Sequence, residues 1–259
     1  MYFAIPPLPF AVCMLAGMLI CFEIGRRIGI RWIANTPARR KPSFDTVEGL
    51  SFALFGLLIA FTFYGAPERS QARAQLIAEE ANAIGTAYLR LGLLNSDSQP
   101  AMRQLFRDYL DARLLVYQKL PDIDAATAEY ARAEKLSKEI WTEAVAAATR
   151  PGANPEATRL LLPALNAMID ITTTRKMAAL IHPPHIIFWL LFLLALVCSL
   201  LAGFGIADHP RRSLLHLTAF SILPVLIVYV ILEIEYPRMG VIPTQSYDQI
   251  LVDLRESMR

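Results

Sequence analysis

The sequence predicts an all-α integral membrane protein with four transmembrane helices and a helical extramembrane domain between the second and third. Three observations predict it. Hydrophobic residues make up 55% of the chain and charged residues 19%, below the roughly one quarter usual in soluble domains. The apolar residues gather in four runs, Leu8–Ile24, Val47–Gly65, Ile186–Ile206 and Leu214–Leu232. Each is close to the ~20 residues that cross a ~30 Å hydrocarbon core. Between the second and third runs, apolar residues recur at three- and four-residue spacing, the period of a helix. A soluble protein with buried helices would not place four such runs in 259 residues.

The first run is not a signal peptide, because Met1 to Pro9 carries no Lys or Arg and so lacks a basic n-region. The basic residues come after it: Arg26, Arg27, Arg31, Arg39, Arg40 and Lys41. The third run is the cleanest, with no charge between His185 and Asp208, while His216 and Pro224 interrupt the fourth. Arg211 and Arg212 lie between those two. Short basic loops stay in the cytoplasm, so both termini and residues 66–184 are expected outside it. Residues 66–184 carry equal numbers of acids and bases, and long loops translocate regardless of charge. The expected organisation is 1–65, two spans with a basic cytoplasmic connection; 66–184, the helical domain; 185–235, two further spans; and 236–259, an extramembrane tail.

Within 66–184, Pro67 either starts a helix or sits in one that continues from the second span. Ser98 and Pro100 read as a cap and first-turn proline for a helix striped by Met102, Leu105, Phe106, Tyr109, Leu110, Leu114 and Tyr117. Pro121 closes it. Asp122 or Asp124 caps a helix to about Thr149, Pro151–Pro155 is a turn, and a last helix runs to about Ile181 with a bend at Pro163. The stretch Pro67–Leu93 has three faces. Ile77, Ile84, Tyr88 and Leu91 are apolar; Ala74, Ala78, Ala81 and Gly85 are small; Gln75, Glu79, Asn82 and Thr86 are polar. The polar stripe is either a solvated surface or a functional lining. Arg73 and Glu80 fall near the apolar face, where a charge needs a partner.

Small residues also stripe the apolar runs: Gly49, Ala53, Gly56 and Ala60 in the second, Ala195, Cys198, Ala202 and Gly205 in the third. In lipid such stripes mark close helix packing, and both are read as seams. Gly25-x-x-x-Gly29 is a lone match at a membrane edge.

No nucleophile elbow, P-loop, dinucleotide fingerprint or zinc-protease helix appears, so no enzyme, catalytic residue or cofactor is expected. A net charge of +2 without a basic tail gives nucleic acid no footprint. Cys13, Cys21 and Cys198 lie in apolar runs without zinc-type spacing. His182-Pro-Pro-His185 offers two ligands where a metal site needs three or four, so these histidines read as interfacial and no metal is expected. Glu233 and Glu235 end the fourth run. They are either solvated beside Arg238 or face a bundle interior and line a cation path.

Several segments resemble one family. Phe61-Thr-Phe63 and Glu79-Glu-Ala-Asn-Ala-Ile-Gly-Thr-Ala-Tyr-Leu-Arg90 look like the signature of the bacterial bestrophin-like domain family. Asp108-Tyr-Leu-Asp-Ala-Arg113, then Leu165-Asn-Ala-Met-Ile-Asp170 with Arg175, and Leu232-Glu-Ile-Glu-Tyr-Pro-Arg238 are similar to further family segments. The family usually has aspartates and a basic residue where this chain has Glu233, Glu235 and Tyr236. The resemblance implies a four-span protein of the bacterial inner membrane. Through remote similarity to bestrophins, which are pentameric anion channels, it also implies an oligomer. Bestrophin topology would put 66–184 in the cytosol; the six basic residues of the first connection point the other way.

Two functions compete. One is a homo-oligomeric ion channel or transport protein acting on an inorganic ion. The other is a membrane-anchored interaction or sensory module without transport. The expected site joins Glu79, Glu80 and Asn82, beyond the second span, to Glu233, Glu235 and Arg238, beyond the fourth. Gln75 and Thr86 extend its polar face. Such a cluster would either concentrate cations at a bilayer exit or be neutralised by Arg73 or Arg238 as a structural ion-pair network.

Overall fold

The computed structural model describes residues 5–35, 45–120, 122–208, 214–236 and 245–258. They form helices α1 (Pro7–Asn35), α2 (Asp45–Arg90), α3 (Gln99–Gln118), α4 (Ile123–Ala148), α5 (Leu162–Leu180), α6 (His185–Gly205), α7 (Leu214–Glu235) and α8 (Gln245–Ser257). No strand occurs among the described residues. Three helical stretches, Pro7–Ala34, Thr46–Leu93 and Ala157–Gly205, are long and apolar enough to cross a membrane. The basic residues Arg39, Arg40, Lys41, Arg211 and Arg212 lie outside the described residues, as does Pro121. The chain divides into two compact units, one of residues 1–70 and 182–242, the other of residues 71–181 and 243–259.

In the first unit, α1 packs tightly on α6. A side chain added at Gly25 would strike the carbonyl of Leu200, and one at Gly203 would strike the carbonyl of Phe22. Backbones this close are possible only with glycine, and in lipid such contact is what holds helices together. Ser199 Oγ donates to the Met18 carbonyl at 2.7 Å, satisfying a hydroxyl where no water reaches. Phe10 meets Trp189 and Phe192 near one end, and Gly29 meets Ala207 near the other, so the two helices run parallel. The helices α2 and α7 are parallel too: Phe52 meets Phe220, and Arg69 meets Glu235.

The seams differ from those expected. Gly25 and Gly29, a lone motif in the sequence, sit at the closest approach. Ala195 and Cys198 are buried as expected and Gly205 faces Glu48 of α2, but the tightest edge of α6 runs through Ser199 and Gly203. On α2, Gly49, Ala53, Gly56 and Ala60 are all exposed. The reason is that α2 meets its neighbours mainly through large side chains, with Phe55 buried and Phe52, Leu58 and Ile59 beside it.

The second unit has its own core. Ile77, Ile84, Tyr88 and Leu91 of α2 pack with Phe106, Tyr109 and Leu110 of α3, Ile140 and Ala144 of α4, and Leu161, Leu165 and Met168. Pro67 lies inside α2, so the helix continues through it. Pro100 occupies the first turn of α3, but Ser98 makes no side-chain cap; its hydroxyl accepts from Arg150 instead. Asp122 caps α4, accepting from the Ala125 amide at 3.0 Å. The Arg150–Ala153 turn closes with a 3.0 Å hydrogen bond. Gly152 sits there at φ +80°, the left-handed position that follows proline in a type II turn.

Before Pro163 the helix widens into a π turn over Ala157–Leu161. Proline has no N–H and crowds the carbonyl four residues back; the wider turn relieves this, and Arg90 donates to the Leu160 carbonyl at 2.6 Å. The segment expected as a tail contains α8, which joins this core through Leu251 and Met258. Leu254 covers the small face of α2 at Gly85.

The α1–α6 contact generates the first prediction. Gly25→Leu or Gly203→Leu should destabilise by several kcal/mol, more than the ~1–3 kcal/mol of an ordinary overpacked core, because the obstacle is backbone. Gly56→Leu, with open space around it, should leave the melting temperature of the isolated chain near wild type. Thermal unfolding in detergent compares the three.

Candidate functional site

The expected site residues fall into two environments, one in each unit. In the helical unit, the α2 stripe Gln75, Glu79, Asn82 and Thr86 is exposed, and Gln75 donates to Glu79 at 3.0 Å. Glu80, one position on, is completely buried. The helical period separates these neighbours, since a step of ~100° turns Glu80 inward among Ile77 and Ile84 while Glu79 faces out.

Two arginines meet Glu80. Arg113 of α3 donates through Nε at 2.6 Å, and Arg175 of α5 pairs with the other carboxylate oxygen. Both guanidiniums are themselves buried. Arg113 also donates to the Tyr117 hydroxyl at 2.9 Å. The guanidinium of Arg175 lies 3.9 Å from the Tyr117 ring centroid, and Lys176 lies 4.4 Å from that of Tyr130, geometry that favours cations over π faces. Asp248 of α8 approaches Arg175 at 3.8 Å. Thus two cations meet two acids, and α2, α3, α5 and α8 are tied at one point.

Burial pushes the Glu80 carboxyl up, but Arg113 and Arg175 outweigh it and hold it below the usual carboxylate range. Burial lowers Arg113, and the adjacent Glu80 more than compensates, so its guanidinium stays charged. Burial raises the Tyr109 hydroxyl, keeping it a neutral phenol. A second link, Arg255 to Asp111 at 2.7 and 2.9 Å, fixes α8 to α3 in the two-pronged geometry that arginine and carboxylate prefer.

In the other unit, Glu233 and Glu235 are buried rather than solvated. Glu233 faces the Tyr229 hydroxyl one turn earlier. Glu235 accepts from Arg69 at 2.9 Å on one oxygen and meets His182 Nδ1 at 2.9 Å on the other. His182 also stacks on Tyr236 with centroids 4.7 Å apart. It is therefore a partner of a buried acid rather than a merely interfacial residue. A carboxylate at the end of an apolar helix needs charged or hydrogen-bonding partners once packing removes water.

The sequence named Arg73 and Arg238 as neutralisers. The structure places Arg113 and Arg175 on Glu80, and Arg69 and His182 on Glu235. Arg238 lies outside the described residues. One signal for Arg113 was available: it falls four residues after Tyr109, on the apolar stripe of α3, where an unpaired charge is costly. Among the described residues, no group of three or more His, Cys, Asp or Glu side chains could hold a metal ion. The pairs found are fit for orienting helices and for holding charge at fixed places.

A family model described as a bestrophin-like domain matches residues 30–246. No curated protein and no solved structure matches the chain.

Glu80→Gln leaves two guanidiniums buried without their carboxylate, and breaking such a pair costs about 3–5 kcal/mol. A carboxyl held low contributes stability above its unfolded value, and that contribution is lost as pH falls through the folded one. The melting temperature of the wild type should exceed that of Glu80→Gln at neutral pH, and the gap should begin to narrow as pH falls below about 4. Parallel melts from pH 7 to pH 3 measure it; a constant gap would refute the assignment.

Proposed function

Because the chain belongs to the bestrophin-like domain family, we propose that it is a four-span homo-oligomer that carries an inorganic ion across the bacterial inner membrane. It is not an enzyme in this reading. Four crossings are supported by helix direction. The helices α1 and α6 run parallel, so one crossing between them, α2, returns the chain to the side where α1 began. Residues 71–181 and 243–259 belong to one unit, so α6 requires a return, and α7 is the helix available. Its 22 residues run alongside α2 from Phe220 to Glu235, a rise of about 22 Å. The basic first connection then favours an extracytoplasmic helical unit.

The observation that carries the transport reading is the surface of α2. This helix has 46 residues. Its membrane half exposes Gly49, Ala53, Gly56 and Ala60, a surface that suits a second copy. Its outer half exposes Gln75, Glu79, Asn82 and Thr86. In this reading a ring of copies would turn the polar stripe toward an axial path, with Glu79 as its charged member. Glu80, held by two arginines, and Glu235, held by Arg69 and His182, orient helices in this reading and do not meet the ion. The competing reading, an interaction or sensory module, draws on a cleft between α3 and α4 lined by Asp97, Met102, Leu105, Glu139, Glu143 and Arg150.

Ion flux into liposomes separates the two. Purified protein should conduct, and Glu79→Gln should raise anion relative to cation permeability by about twofold or more, since a lining carboxylate concentrates cations. Its melting temperature should not move. Gly56→Leu should dissociate the oligomer without unfolding the chain. Silence from an intact oligomer would favour the interaction module.

A further inference from the structure

The helix α1 carries a two-part surface away from its packed side. At about 100° per residue, Met18, Phe22, Gly25 and Gly29 share the face that meets α6. Ile20, Ile24, Arg27 and Arg31 fall on the opposite face, within an arc of about 60°. All four are exposed. The change from isoleucine to arginine along this face has a definite depth. Counting from Pro7, the helix reaches Ile24 after about 27 Å, close to the ~30 Å hydrocarbon thickness. Arg27 and Arg31 then lie about 5 and 10 Å further on. All 29 residues of α1 extend about 43 Å, the thickness of a bilayer with its headgroups.

We propose that this face is a docking surface for an anionic phospholipid, with Arg27 and Arg31 on the headgroup phosphate and Ile20 and Ile24 along the acyl chain. Charge complementarity supports that occupant. Glu23 pairs with Arg26 at 3.1 Å and with Arg27 at 2.9 Å, so one carboxylate stands against three guanidiniums and two positive charges remain. Arg27 uses its Nε on Glu23, leaving its terminal nitrogens for phosphate, and its side chain is 68% exposed. Trp32, against Phe204, sits at the level where indoles anchor helices at the interface. A zwitterionic lipid offers the same acyl chain with no net charge to match the surplus. This inference rests on α1 crossing the bilayer and is independent of ion transport.

Native mass spectrometry of the full-length protein, titrated with phosphatidylglycerol or phosphatidylcholine, tests it. The wild type should prefer phosphatidylglycerol by at least tenfold. Each arginine near a surface contributes about a fivefold factor. Arg27→Gln with Arg31→Gln should therefore lower the preference about tenfold or more, and Arg31→Gln alone about fivefold. The single variant decides if the double variant fails to fold. Lys135→Gln with Arg159→Gln, which removes the same charge from the helical unit, should leave the preference unchanged. An unchanged preference in the α1 variants, an equal loss in the control pair, or full displacement of lipid by millimolar inorganic phosphate would each overturn the proposal.

Discussion

The helical unit depends on one buried carboxylate. Glu80 sits where α2, α3 and α5 converge and accepts from Arg113 and Arg175 at once. None of these three charges tolerates burial alone. Together they fix the rotation of three helices, because turning any one by a single residue would strand at least one buried charge. Apolar packing around them is less selective. Leu, Ile and Ala side chains of similar volume accommodate small shifts, whereas a carboxylate between two guanidiniums does not. The rings of Tyr117 and Tyr130 then lie against the two guanidiniums.

The membrane unit solves the same problem with different means. Lipid supplies no water, and the clearest polar pairings there are Ser199 on a backbone carbonyl and Glu235 between Arg69 and His182. Close approach replaces hydrophobic burial as the source of helix adhesion. Gly25 and Gly203 provide it where two backbones touch. The α2 helix is held instead by bulky contacts on one side, and its small residues remain on the other. The two kinds of surface have different uses. Bulky contacts secure the helix within its chain, and the small stripe offers a flat face to something else.

Element identity was legible from the sequence because apolar period and length are local properties. The runs at Leu8–Ile24, Val47–Gly65 and Ile186–Ile206 lie within α1, α2 and the α6 region, and the striped helix around Phe106 is α3. Caps were legible in part: Asp122 caps, while Ser98 is drawn off by Arg150, a residue more than fifty positions away. Partners were not legible. Glu80 was recognisable as a charge on an apolar face, but its cations come from α3 and α5. Likewise the seam on α1 was two glycines of ordinary appearance, distinguished only by what α6 presents to them. A residue's own pattern reports its face; its partner depends on helix rotation, which local spacing does not encode.

The placement of α8 has a consequence for biogenesis. Asp248, Leu251, Leu254 and Met258 complete the helical unit, yet they follow α6 and α7 in the chain. Synthesis delivers the N-terminal part first. The Gly85 face of α2 and the Arg175 guanidinium must therefore wait, without their last helix, while the rest of the membrane unit is made and inserted. The nascent unit carries an apolar groove and a surplus cation during that interval. Its final cooperativity is acquired only once α8 has been made, so completion of the helical unit is tied to prior synthesis of α6 and α7.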